Sequence, residues 1–93
     1  MNLFYTEFAK ADLASSFGWY ETQRKGLGFD FLDCVEIAIK AIIRNPESSP
    51  KTHQNFHRKI IRRFPFSIFY TIESENIVVH AVFDNRQDPE KRP

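Results

Sequence analysis

At 93 residues the chain holds one domain, since two halves could not each bury a useful core. Hydrophobic residues make up 42%, ten of them Phe, and charged residues 27%; this is the composition of a packed globule, and the single cysteine, Cys34, excludes an internal disulfide. The formal net charge of +1 excludes a uniformly polycationic protein but hides an uneven distribution: residues 48–72 carry Lys51, Arg58, Lys59, Arg62 and Arg63 with no acid, whereas residues 1–47 carry five bases against seven acids.

The first element is a short strand over Met1–Tyr5, built on Leu3, Phe4 and Tyr5. These residues show no basic stretch followed by an apolar run, and no apolar segment reaches membrane-spanning length. With the lone cysteine this predicts a cytoplasmic protein that is neither secreted nor membrane-embedded. Thr6 can cap a helix running from about residue 7 to 24, in which Leu13, Phe17 and Tyr20 share a face despite Gly18. Gly26-Leu27-Gly28 supplies the reversal.

A second helix is predicted over Phe29–Asn45, because Phe31, Leu32, Val35, Ala38, Ile39 and Ile42 recur at helical spacing while the charged residues lie elsewhere. Acids early, bases late and Pro46 at the end suit its dipole and its stop. The two helices form a hairpin. Residues 45–57 read as an irregular connection. The period then becomes two, predicting strands over Arg58–Arg63, Phe66–Ile72 and Ile77–Phe83, with reversals at Phe64-Pro65 and Ser74-Glu75-Asn76. Residues 84–93 are polar, which predicts a partly disordered tail in which an Asp84–Arg86 ion pair could form.

Strand, two helices and a three-stranded meander give an α+β fold. In that order Trp19-Tyr20-Glu21, Gly26-Leu27-Gly28, Phe31-Leu32 and Asn45-Pro46 resemble the helical hairpin of RelE/ParE toxins. Arg62-Arg63-Phe64-Pro65-Phe66, Ile68-Phe69-Tyr70, Val78-Val79-His80-Ala81-Val82 and Asn85-Arg86-Gln87-Asp88-Pro89 resemble their sheet. The resemblance covers residues 2–89 and implies a β-α-α-β-β-β fold with the hairpin on a small, mainly antiparallel sheet. It also implies a toxin of a type II toxin–antitoxin pair, blocked by a cognate antitoxin. RelE-like members cut messenger RNA on the ribosome, and ParE-like members inhibit DNA gyrase. Ser67 stands where RelE-like nucleases place a basic residue, and the only tyrosines are Tyr5, Tyr20 and Tyr70, so the C-terminal catalytic tyrosine of those nucleases has no counterpart. This favours the ParE branch and a non-enzymatic inhibitor of gyrase. The alternatives are a RelE-type endoribonuclease and an inactive homologue that only binds antitoxin.

Within that frame Arg58, Lys59, Arg62, Arg63 and Arg86 are candidates for binding a target or partner, and Trp19, Tyr20 and Phe29 near the end of the hairpin are candidates for a groove that takes an antitoxin helix or strand. Strand alternation sets Arg58, Ile60 and Arg62 on one face and Lys59, Ile61 and Arg63 on the other, so the charges cannot all meet one ligand; the bland alternative is a solvated edge strand. For a nuclease the candidates are Arg62, Arg63, His80 and Arg86, although a histidine satisfied inside its strand is the commoner situation. His53 and His57 are four apart in a loop without a third ligand, Cys34 reads as a small core residue, and there is no phosphate-binding glycine loop. No metal or cofactor is expected.

Overall fold

Thr6 ends the first strand and begins the first helix in one residue. Its hydroxyl accepts the Ala9 N–H at 3.1 Å while its own backbone N–H donates to Val79 at 3.0 Å, so the cap is also a joint to the distant sheet. The computed structural model describes residues 1–87. In chain order these form β1 (Asn2–Tyr5), α1 (Glu7–Gln23), α2 (Leu27–Arg44), a short 3-10 turn at His53–Asn55, β2 (His57–Ile60), β3 (Phe66–Glu73) and β4 (Asn76–Asp84). No described helix is long and apolar enough to cross a membrane.

The sheet order is β1-β4-β3-β2, with β1 parallel to β4 and the other neighbours antiparallel. The α+β class and the β-α-α-β-β-β order therefore agree with the expectation from sequence. One face of the sheet carries Phe66, Ile68, Tyr70, Ile77, Val79 and Val82 into the core against the stripe of α2, where Phe31, Val35, Ala38, Ile39 and Ile42 are buried. An aromatic cluster closes one end, with Phe31 rings 5.0 Å from Phe66 and 5.4 Å from both Phe64 and Tyr20. The opposite face holds a small second cluster, Phe69, Ala81 and Phe83, with Phe56 packed on it.

Two boundaries differ from the reading of the sequence. Helix α2 starts at Leu27, so Gly28 lies inside its first turn. The two flanking glycines do different work: Gly26 takes φ 90°, the left-handed conformation, whereas Gly28 lets the helices approach closely. A Cβ at Gly28 would lie 2.7 Å from both Glu21 Cγ and the Phe17 carbonyl oxygen, and the Gly28 N–H donates to Glu21 Oε1 at 2.7 Å, which places an anion at the helix start. Gly28→Ala should therefore cost about 1–3 kcal/mol, because the Phe17 backbone must move. Urea denaturation checks this, and a neutral substitution would mean that the hairpin is looser than drawn.

The second difference is larger. The basic strand expected over Arg58–Arg63 is only His57–Ile60, and Arg62 and Arg63 lie in the following turn. Ile61, 2% exposed, is drawn into the core, its N–H donates to the Phe66 carbonyl at 3.0 Å, and Arg63 takes φ 73°. The turn thus consumes three residues, Ile61, Arg62 and Arg63, that alternation alone would have placed in a strand. In the expected tail, Asp84 ends β4 and Asn85–Gln87 turn back on it; residues 88–93 lie outside the described ones.

Candidate functional site

The basic residues occupy three separate places. Arg58 in β2 pairs opposite Phe69 and lies on the sheet face away from the helices. Its Nε donates to Ser67 Oγ at 2.9 Å and its Nη2 to Asn85 Oδ1 at 3.1 Å; Ser67 Oγ itself donates to Asn85 Oδ1 at 2.8 Å. Lys59, paired opposite the core residue Ile68, belongs to the other face. Arg63 turns towards the start of α2, where Asp30 receives Arg63 at 4.0 Å and Arg24 at 3.6 Å, and its guanidinium lies over the Phe64 ring at 5.7 Å. Arg62 is exposed in the same turn.

Arg86 forms the ion pair suggested by the sequence. Its backbone N–H, Nε and Nη2 all donate to Asp84, at 2.9, 3.0 and 2.7 Å. The Arg86 side chain holds the Asp84 carboxyl below its ordinary 3.8, against the opposing effect of burial. Asp84 lies on the helix-facing side opposite Phe66 and helps line a groove of about 680 Å³ between α1 and the free C-terminal edge of β4, which Asp12, Ser15, Ser16 and Trp19 line from the helix. Asp12 also reaches across to accept the Val82 N–H at 2.9 Å.

The three hairpin aromatics do not make one surface. Tyr20 is 7% exposed and sits in the aromatic core, showing only an edge to the groove, and burial pushes its hydroxyl above its ordinary 10.0. This corrects the expectation of an exposed Tyr20. Trp19, 51% exposed, stands at the groove with its ring 5.0 Å from that of Tyr20. Phe29, 60% exposed, meets Phe17 edge-on at 5.0 Å and belongs to a separate apolar patch with Leu13, Ala14 and Leu32.

His80 occupies an irregularity in β4, where the pairing passes from Phe69↔Ala81 to Tyr70↔Val79 and leaves it unmatched. Its Nε2 lies 2.8 Å from Thr71 Oγ1, and that hydroxyl donates its only proton to Glu73 Oε2 at 2.7 Å. With Glu73 Oε2 also 3.7 Å from Nε2, the imidazole, the hydroxyl and the carboxylate form one polar cluster on this face. Phe56 packs edge-on against the imidazole at 5.1 Å. His57 is 3% exposed, stacks on Tyr70 at 5.0 Å and donates from Nδ1 to the Ser49 carbonyl at 2.8 Å. The side chain of His53 lies outside the described ones, and among the described residues no cluster of three potential metal ligands occurs. Cys34 is buried in α2, as its spacing suggests.

The structure thus joins Arg58, Ser67 and Asn85, which nothing in their residue types or spacing would group, and separates Arg62, Arg63, His80 and Arg86, which a nuclease would need together. Asn85 follows β4 directly and Ser67 interrupts an apolar strand; those two polar breaks were the only available signal.

Comparison with known proteins adds three findings. The family profile described as the ParE toxin of the type II toxin–antitoxin system parDE matches residues 3–89. A solved structure titled as the chromosomal ParDE toxin–antitoxin system from P. aeruginosa superposes with a TM-score of 0.80 at 17% sequence identity, covering 90% of this chain and 95% of that one. No curated protein sequence matches significantly.

Proposed function

We propose, from the premise that this chain belongs to the ParE toxin family of type II toxin–antitoxin systems, that it arrests growth by binding DNA gyrase and is held inactive by its cognate antitoxin. Membership of a toxin–antitoxin family implies that antitoxin partner. The choice of target rests on one observation: the groups an RNA-cutting relative would need are engaged in different places. Arg63 faces Asp30, Arg86 is bound by Asp84, and His80 meets Thr71 and Glu73 on the far side of the sheet. General acid–base cleavage needs its donor and base within hydrogen-bond reach of one substrate, and the arginines Arg62, Arg63 and Arg86 are not gathered beside His80. Action by binding asks only for surface, and the groove beside Trp19 and the patch around Phe29 offer it.

Supercoiling by purified gyrase is the deciding measurement. Refolded, antitoxin-free protein in stoichiometric excess should inhibit it, and adding the antitoxin should restore it. Full supercoiling at that excess would refute gyrase as the target, and codon-bounded cuts in messenger RNA mapped after induction would replace it with the ribosome.

A further inference from the structure

Arg58 is fixed in position without being neutralised. Of the five N–H groups of its guanidinium, the bonds to Ser67 and Asn85 use two, and both acceptors are uncharged. The cations Arg24, Lys40, Arg63 and Arg86 all have carboxylate partners; no described carboxylate forms an ion pair with Arg58. Ser67 is wholly buried and donates to the same Asn85 oxygen that Nη2 reaches, so strands β2 and β3 and the turn after β4 hold the side chain from one side. An arginine whose orientation is already set loses less freedom when it binds an anion than a free surface side chain does.

We infer that Arg58 is the receptor for a single carboxylate on an acidic segment of a partner polypeptide, an inference that rests on the reading of this protein as one neutralised by a protein. The surroundings favour a polypeptide over a nucleic acid. A phosphate chain is bound by several cations acting together. Here Arg86 is occupied by Asp84, Arg63 is turned to Asp30 and Lys59 belongs to the opposite face, which leaves only Arg62, in the turn beyond β2, and Lys51 as further exposed cations of the segment, and the formal net charge of the chain is only +1. The next residue of β2 on the same face is instead apolar: Ile60 pairs opposite Ser67 and is 63% exposed. One oriented guanidinium beside one exposed aliphatic side chain matches an acidic residue next to an apolar one. β2 ends the sheet, but its outer edge at Arg58 is already taken by the Pro50 carbonyl, which accepts the Arg58 N–H at 3.1 Å, so recognition falls to the side chains of Arg58 and Ile60.

The full chain tests this by fluorescence anisotropy with three probes: a short blocked peptide alternating Leu and Glu, its counterpart with Gln for Glu, and an oligouridylate of equal length. The Glu peptide should bind about tenfold more tightly than the Gln peptide. Arg58→Gln should abolish that advantage. Arg58→Lys keeps the charge but cannot span Ser67 and Asn85, and it should lose most of the advantage, as Ser67→Ala should in part. Circular dichroism confirms folding, and should Arg58→Gln fail to fold, the lysine and Ser67→Ala variants carry the test. Equal binding of the two peptides, or an advantage that survives in the folded variants, overturns the inference. Tighter binding of oligouridylate that depends on Arg58 also overturns it, in favour of a phosphate site. Gyrase inhibition by the same variants is read separately, so the carboxylate site can fail while the reading of the target stands.

Discussion

Phe31→Ala should lower the free energy of unfolding by about 4 kcal/mol, the largest loss expected from a single substitution in this chain. Phe31 is 0% exposed and lies where α2 meets both the sheet and α1, with Tyr20, Phe64 and Phe66 within 5.0–5.4 Å of its ring centroid. Three aromatic neighbours cannot collapse into the space without leaving their own rotamers, so the cavity cost adds to the lost transfer energy. A domain of this size has about 5–10 kcal/mol of stability in all, so the variant should be largely unfolded at moderate urea. Phe31→Leu should cost less, about 1–2 kcal/mol, since it removes less volume. A midpoint shift equivalent to under about 1 kcal/mol for the alanine variant would show that the cluster is less tightly packed than these distances indicate.

Tyr70→Phe is the second large effect, and it acts on a loop rather than on the core. The Tyr70 hydroxyl donates to the Pro46 carbonyl at 2.6 Å, and burial pushes its pKa above the ordinary 10.0, which keeps the donating proton in place. Removing the hydroxyl leaves that carbonyl without its donor, at a cost of about 2 kcal/mol. His57 stacks on the same ring and holds the Ser49 carbonyl, so the two side chains together fasten residues 46–49 to the sheet. Hydrogen exchange should report the change locally: the Arg58 amide, bonded to the Pro50 carbonyl at 3.1 Å, should exchange faster than in the wild type, by more than the amides of β4 do. A double-mutant cycle with His57→Ala should give a coupling of about 1 kcal/mol. Unchanged exchange at Arg58 would show that the connection is held by its own turns.

Helix α2 was legible because a buried stripe at helical spacing is a property of neighbouring residues, and β3 and β4 were legible because their apolar runs sit between recognisable turns. The end of β2 was not. Ile60 and Ile61 alternate as a strand should, but whether Arg62 continues it depends on where Phe66 lies, and that is a tertiary matter. The candidate site was harder still. Arg58 stood out by charge, whereas its partners Ser67 and Asn85 are 9 and 27 residues away and are ordinary as residue types. The place of Tyr20 beside Trp19 suggests a binding groove, while its helical spacing with Leu13 and Phe17 suggests the buried face; the residue is 7% exposed and shows the groove only an edge. The irregularity around His80 left no mark in the sequence, since an unmatched residue in one strand is defined by its partner strand.

The pairing of β1 with β4 also fixes the order in which this protein can become itself. Asn2–Tyr5 has no partner until Asn76–Val79 exists, and the joint from Thr6 to His80 spans 74 residues. The helical hairpin and the β2–β3–β4 meander close through contacts near in sequence, while β1 must wait for the last strand. During synthesis the N-terminal strand therefore leaves the ribosome long before its place in the sheet is made. Everything built on β4, including Asn85 behind Arg58 and the groove beside Trp19, is completed only once residues 76–87 have emerged. A chain interrupted before β4 would carry the helices and the basic segment but no finished binding surface.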